Sequence, residues 1–338
     1  MTTALKLSIL DYSPIDEGLV AADALAASVR LAQRAEESGF TRFWVSEHHG
    51  IRALASNSPE ILMSRIASAT NSIRVGSGGV LLPNYSSLKI AENYQLLEAL
   101  FPGRIDLGFG RAPGADQRTS MALNDEKGDR IPYGRKVEDL LGFLTGKHGP
   151  NSPYTGMRAH PETHGMPQPF VLGASGATAE AAAQAGLGFT FAHFINPRGD
   201  GRLAASAYRR AFIPTDFSAS PTVVVAVFVA LGETDEEARD YASAFHLWLA
   251  YAESASPLDR VPSLANARDH RWTSEELATR ERNQGRLISG TAHDVVAQLN
   301  ALADLYGTDE VMVNIMMPGE AARLKALEGL IVEMAKSI

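Results

Sequence analysis

The chain contains no cysteine. That single absence removes disulfides, iron–sulfur clusters, thiolate zinc sites and cysteine nucleophiles, and it fits a reducing compartment. No apolar run approaches the roughly 18 residues of a membrane-spanning helix. The opening MTTALKLSILDYSP also lacks the basic leader and apolar core of a secretory signal, so the expectation is a cytoplasmic protein. A basic patch is missing too: 31 Lys and Arg face 39 Asp and Glu, for a net charge of −8. Such a mean field repels phosphate backbones and anionic lipid, which sets nucleic acid and membrane aside as partners.

What remains is an ordinary soluble composition, 45% hydrophobic and 21% charged over 338 residues, long enough for one large α/β domain. Strand patterns fall near Lys6–Asp11, Arg42–Ser46, Ile73–Leu81, Arg104–Gly108, Phe170–Gly173, Gly188–His193, Thr222–Leu231 and Glu310–Ile315. Helical spacing of apolar residues appears over Asp23–Ser38, Pro59–Ala69, Leu88–Leu100, Arg135–Thr145, Thr178–Ala185, Asp235–Tyr251, Ala292–Tyr306 and Glu320–Lys336. Gly39, Gly186 and Gly307 follow helix ends as carboxyl-terminal caps. The alternation predicts a (β/α)8 TIM barrel in the α/β class, one domain over 1–338, with an open doubly wound sheet as the alternative. Stretches 109–133, 147–168 and 253–287, rich in Gly, Pro and charge, read as insertions at the carboxyl face, suited to act as lids.

The chemistry gathers at predicted strand ends. In FWVSEHH a buried strand runs into Glu47, His48 and His49, at the end of the sheet where such folds hold ligands. His48 there suits proton chemistry near neutral pH; a surface or structural histidine pair is the plainer alternative. In RVGSGGVLLPN the glycines Gly76, Gly78 and Gly79 break a good strand, which marks either a bulge or a close approach of backbone to ligand. LGFGRAPG brings Arg111, a cation suited to phosphate, but the third glycine of a dinucleotide fingerprint is replaced by Pro113. GASGAT stands between a strand and an alanine-rich helix; Ser175, Thr178 and the backbone there either hold a phosphate or simply cap the helix. It is not a hydrolase elbow, since Ala177 stands where the second glycine is required. His160-Pro161-Glu162-Thr163-His164 has the wrong backbone for helical zinc spacing, so no metal site is expected.

Taken together and in order, WVSEHH, RVGSGGVLLPN, FPGRIDLGFGRAPGADQ, VLGASGAT and ISGT at Ile288–Thr291 resemble the bacterial luciferase-like flavin monooxygenases along nearly the whole chain. The match is nearer to the uncharacterised luciferase-family oxidoreductases than to the light-emitting enzymes. The resemblance implies a barrel that binds reduced FMN at its carboxyl face. His48 matches the histidine near the flavin's reactive edge, and Gly78–Gly79 a pair joined by a non-proline cis peptide beneath the ring. Arg111, Ser175, Gly176 and Thr178 match phosphate-binding positions, and Arg135 loosely matches a second arginine. Gly110 stands where luciferase has a reactive cysteine and Ala174 where it has a glutamate. Both departures argue against aldehyde-dependent light emission.

The function this resemblance implies is a two-component monooxygenase in which FMNH2 and O2 form a flavin C4a-hydroperoxide that gives one oxygen atom to an organic substrate. A polyketide-type tailoring step is the substrate expected by analogy. Its implied partners are that substrate, a separate NAD(P)H:flavin reductase and a second copy of the chain, paired through Pro59–Ala69 and Leu88–Leu100. An F420-dependent dehydrogenase of the same superfamily and a non-catalytic flavin-binding protein are the alternatives.

Overall fold

The computed structural model describes residues 5–111, 117–123, 131–254 and 257–336. Ten strands form one parallel sheet: β1 (Lys6–Asp11), β2 (Arg42–Val45), β3 (Arg74–Ser77), β4 (Val80–Leu81), β5 (Ile105–Gly110), β6 (Gln168–Gly173), β7 (Gly188–Ala192), β8 (Val223–Leu231), β9 (Leu287–Gly290) and β10 (Glu310–Asn314). β10 pairs with both β1 and β8, so the sheet closes on itself, and the open-sheet alternative falls. The fold is a (β/α)8 TIM barrel with β4 and β9 added to its eight staves. A parallel barrel buries both faces of its strands, and the run VVVAVFVAL of β8 is buried at every position.

The strands share one parity. Odd-numbered residues such as Ile9, Phe43, Val75, Leu107, Phe189 and Val313 pack outward under the helices. Even-numbered ones, Leu10, Trp44, Phe170, Val224, Phe228 and Met312 among them, fill the interior. At the amino-terminal end the filling is ionic. Arg42 bonds Asp106 and Glu310, each at 2.8 Å, Arg74 meets Asp106 at 2.6 Å, and Trp44 Nε1 donates to Asp106 at 2.9 Å. Burial works against the Arg42 charge, yet the two carboxylates overcome it and hold its pKa above the ordinary arginine value. This plug closes the bottom of the barrel and leaves the carboxyl-terminal mouth for function.

Most expected elements are present within a residue or two, and Gly39, Gly186 and Gly307 do cap helices at φ of +80°, +62° and +60°. Four differences have physical reasons. The strand expected over 73–81 divides into β3 and β4 at Gly78–Gly79. Helix Gly201–Ala211 was not anticipated between β7 and β8, because it buries Ala204, Ala205 and Tyr208 where the apolar signal is small side chains. β9 is the four-residue run LISG, overlapping the ISGT motif, which carries little strand signal until β8 offers its edge, Phe228 pairing with Leu287. The helix expected from Thr178 starts at Gly176. Of the insertions, 253–287 carries the short helices Leu264–Asp269 and Ser274–Arg282, 109–133 carries Gln117–Leu123, and no helix lies within 147–167. Among the described residues no helix is long and apolar enough to cross a membrane.

Candidate active site

His48, Gly78, Gly79, Arg111, Ser175, Gly176 and Thr178 all emerge at the carboxyl-terminal ends of β2 to β6, around one half of the mouth. The peptide between Gly78 and Gly79 is cis, as the resemblance implies. Here the need for glycine is steric. A Cβ on Gly78 would meet the Leu10 side chain, and one on Gly79 would lie 2.9 Å from Gly108 O, whereas at Gly110 the nearest atom would be 3.8 Å away. At these three positions the strand ends present bare backbone, and only at Gly110 would a Cβ sit at ordinary contact distance.

His48 lies in the segment after β2, whose last residue Val45 pairs with Ser77 just before the cis glycines. Its backbone N–H donates to Ser56 O at 3.0 Å, and its Nδ1 shares a 3.0 Å hydrogen bond with Ser46 Oγ. The Tyr12 ring stands against it edge-on, with centroids 4.6 Å apart. Among the described residues Nε2 has no hydrogen-bond partner. Burial and, secondarily, the neighbouring His49 push the His48 pKa down to about 4, so the ring is neutral at physiological pH. Tyr12 is itself buried, and burial raises its pKa well above the ordinary phenol value.

His49 has a different task. Its Nε2 meets Glu47 Oε1 at 2.7 Å, and that oxygen also accepts from Tyr85 OH at 2.6 Å. The other Glu47 oxygen accepts from Leu81 N at 2.9 Å. Glu47 is buried, and these bonds tie the end of β2 to the segment after the cis peptide. Sequence reasoning places Glu47 at the strand end without a role and misses Tyr12. The signal for both was available: Tyr12 continues the inward parity of β1, and Glu47 sits in the EHH run.

Arg111 follows Gly110, which pairs with Leu172, so the arginine stands beside the turn after β6. It is exposed, and its positive charge reaches Tyr133, whose hydroxyl is driven up to about 12 mainly by burial. In the turn, Ser175 caps helix Gly176–Gln184, accepting from Thr178 N at 3.3 Å. The capping alternative is therefore realised, but the cap leaves Ser175, Gly176 and Ala177 exposed at a helix amino terminus, where backbone N–H groups point to solvent. Arg135 does not join them. Its Nε donates to Asp139 Oδ1 at 2.9 Å and its Nη2 reaches Ser152 Oγ at 3.4 Å, within a small hollow lined by Arg135, Glu138, Asp139 and residues 148–152. His193, another imidazole at a strand end, is bonded through Nδ1 to Tyr306 OH at 3.0 Å. No group of metal-ligating side chains gathers among the described residues.

The barrel, the cis glycine pair and the desolvated His48 come together at the carboxyl end of the sheet, and comparison with known proteins gives the family. A family model described as luciferase-like monooxygenase matches residues 5–309, and the chain belongs to that family. It is 43% identical over 241 residues to an N-acetyl-S-alkylcysteine monooxygenase of Bacillus subtilis (strain 168), covering 70% of this chain and 71% of the relative. The crystal structure of apo-MsnO8 superposes with a TM-score of 0.88 at 36% identity, over 98% of both chains. The oxygenating constituent of 3,6-diketocamphane monooxygenase from Pseudomonas putida, in complex with FMN, shares the fold at 18% identity and TM-score 0.70, over 99% of both chains.

Proposed function

We propose that this chain is an FMNH2-dependent monooxygenase that places one atom of O2 into a small organic substrate. The observation that carries the reading is His48, neutral and desolvated with a free Nε2, just past the strand whose end pairs beside the cis Gly78–Gly79 peptide. The residues present fit the cofactor. Gly78, Gly79 and Gly110 present no side chain to a flat ring, while Arg111, Ser175 and the exposed N–H groups of helix Gly176–Gln184 form an anion-ready end suited to a phosphate. Reduced FMN, when bound, supplies the two electrons with which O2 is divided between product and water.

The chain's own part is positional and protonic. Tyr12, Phe194 and Phe228 are buried at the mouth and keep water from the reacting centre. His48 accepts or returns one proton at Nε2, with Ser46 holding the other ring nitrogen. Glu47 and His49 fix the approach of the Gly78–Leu81 segment.

A separate NAD(P)H:flavin reductase is the proposed electron donor, consistent with Pro113 in place of a fingerprint glycine. Helices Pro59–Ala69 and Ser87–Leu100 leave Ile61 71% and Leu96 51% exposed, which supports a homodimer through these faces; a monomeric mass by light scattering at micromolar concentration would reject it. For the substrate, a polyketide rests on analogy alone, whereas the 43% identity to an N-acetyl-S-alkylcysteine monooxygenase favours a small S-alkylated amino acid. The test is incubation with chemically reduced FMN, 18O2 and N-acetyl-S-benzylcysteine, with products read by mass spectrometry. One 18O per product molecule is expected; free H2O2 with no labelled product would reject the reading. The absorbance of the reconstituted protein separates FMN from F420.

A further inference from the structure

A second set of polar groups lies round the other half of the mouth, above β8, β10 and β1, and no step above uses it. Arg286 immediately precedes β9, which begins opposite Phe228. Its Nε donates to Phe194 O at 2.5 Å and its Nη1 to Glu253 Oε1 and Asn283 Oδ1, both at 2.8 Å. Among the described residues Nη2 donates to nothing. The guanidinium is clamped on two sides with one edge spare.

Arg286 adjoins the aromatic wall that includes His48, bonded to the carbonyl of Phe194 and near enough for its charge to act on Tyr12. The ring of Phe194 lies 4.8 Å from Phe228, Phe228 lies 5.8 Å from Tyr12, and Tyr12 lies 4.6 Å from His48. Asn314 is in register with Phe228 across β10 and β8 and is 2% exposed, and its Nδ2 has no hydrogen-bond partner among the described residues. His246, on the helix after β8, likewise keeps Nδ1 buried without a partner. Its pKa is pushed down to about 4 by burial first and then by the charges of Arg280 and Arg286. Buried polar groups without partners are rare and costly unless a ligand completes them. A few such groups beside an apolar wall are the make-up of a small-molecule site.

We propose that Arg286 anchors a carboxylate on the substrate, with the Asn314 amide as a second donor and the substrate's apolar body against Tyr12 and Phe228. This rests on the monooxygenase reading for its choice of probe and adds to it the chemical class, an organic acid with an apolar tail. Glu253 partly neutralises Arg286 in the free protein, so the incoming acid competes with it and Glu253 sets the affinity.

The test is calorimetric titration of the full chain, with FMN bound, by N-acetyl-S-benzylcysteine and by its methyl ester. A charge-assisted hydrogen bond corresponds to about 10- to 100-fold in affinity, so the acid should bind tighter than the ester by that factor. Arg286→Met should erase the preference while ester affinity stays within about twofold. Glu253→Gln retains an acceptor for Asn283, removes the competing charge and should tighten the acid severalfold, which keeps the idea testable should the arginine variant misfold. Equal binding of acid and ester, no binding of either, a preference that survives Arg286→Met, or an acid affinity unchanged in Glu253→Gln would each overturn it. Loss of FMN affinity in place of acid affinity would do the same, assigning the arginine to the cofactor. A protein that prefers the acid but transfers no labelled oxygen keeps the anchor and loses the reaction, so the two readings fail separately.

Discussion

His48 should make the protein acid-sensitive, and the effect is measurable without substrate or flavin. Its folded pKa is about 4 against an ordinary 6.5, because burial disfavours the imidazolium. Above the unfolded value both states hold the same neutral ring and the group is silent. As pH falls below that value the unfolded chain takes up a proton that the folded chain refuses, so stability declines until the folded pKa is reached. The full gap of about 2.5 units corresponds to roughly 3 kcal/mol, of which about 2 kcal/mol is lost between about pH 7 and pH 5. Replacing His48 by Gln removes the titrating group and leaves a polar side chain of similar reach to Ser46. Urea unfolding of the cofactor-free protein at the two pH values gives the comparison. The wild type should lose about 2 kcal/mol more than His48→Gln on acidification, whatever the offset between them at neutral pH. Equal losses would mean that His48 titrates normally and is not desolvated, which would also remove the basis for its neutral role at Nε2.

Arg111→Ala should weaken FMN by about 1.5–3 kcal/mol, the value of a charge-assisted phosphate contact, and leave riboflavin unaffected; fluorescence titration in which wild type binds the two flavins equally would sink the phosphate assignment. Glu47→Gln should cost about 2–4 kcal/mol, since a buried acceptor serving Tyr85, His49 and Leu81 N becomes in part a donor facing donors. Thermal unfolding checks it, and an unchanged midpoint would show that the brace is not needed. Arg135→Ala should leave FMN affinity within about twofold, because Asp139 and Ser152 already occupy that guanidinium; a tenfold loss in the same titration would return it to the phosphate site.

The sequence by itself determined whatever depends on near neighbours along the chain. The continuous apolar run of β8 can only be a strand covered on both faces, and the glycines after three helices stop them through a backbone conformation that other residues avoid. The placing of His48, Arg111 and Ser175 at strand ends follows from the same local patterns, because a parallel α/β chain puts all its strand ends on one side, whereas closure of the sheet through β10 and β8 does not. Tertiary structure decided the rest. Four residues of β9 and the alanine-faced helix Gly201–Ala211 have too little local preference to declare themselves and exist through what they pack against. Arg135 has the right charge in roughly the right place, yet a side-chain carboxylate one helical turn away claims it. The low pKa of His48 is a property of its burial, and the meeting of Arg286 with Phe194 and Glu253 is a property of barrel closure. Desolvation and long-range proximity arise from atoms distant in sequence, so no spacing along the chain encodes them one residue at a time.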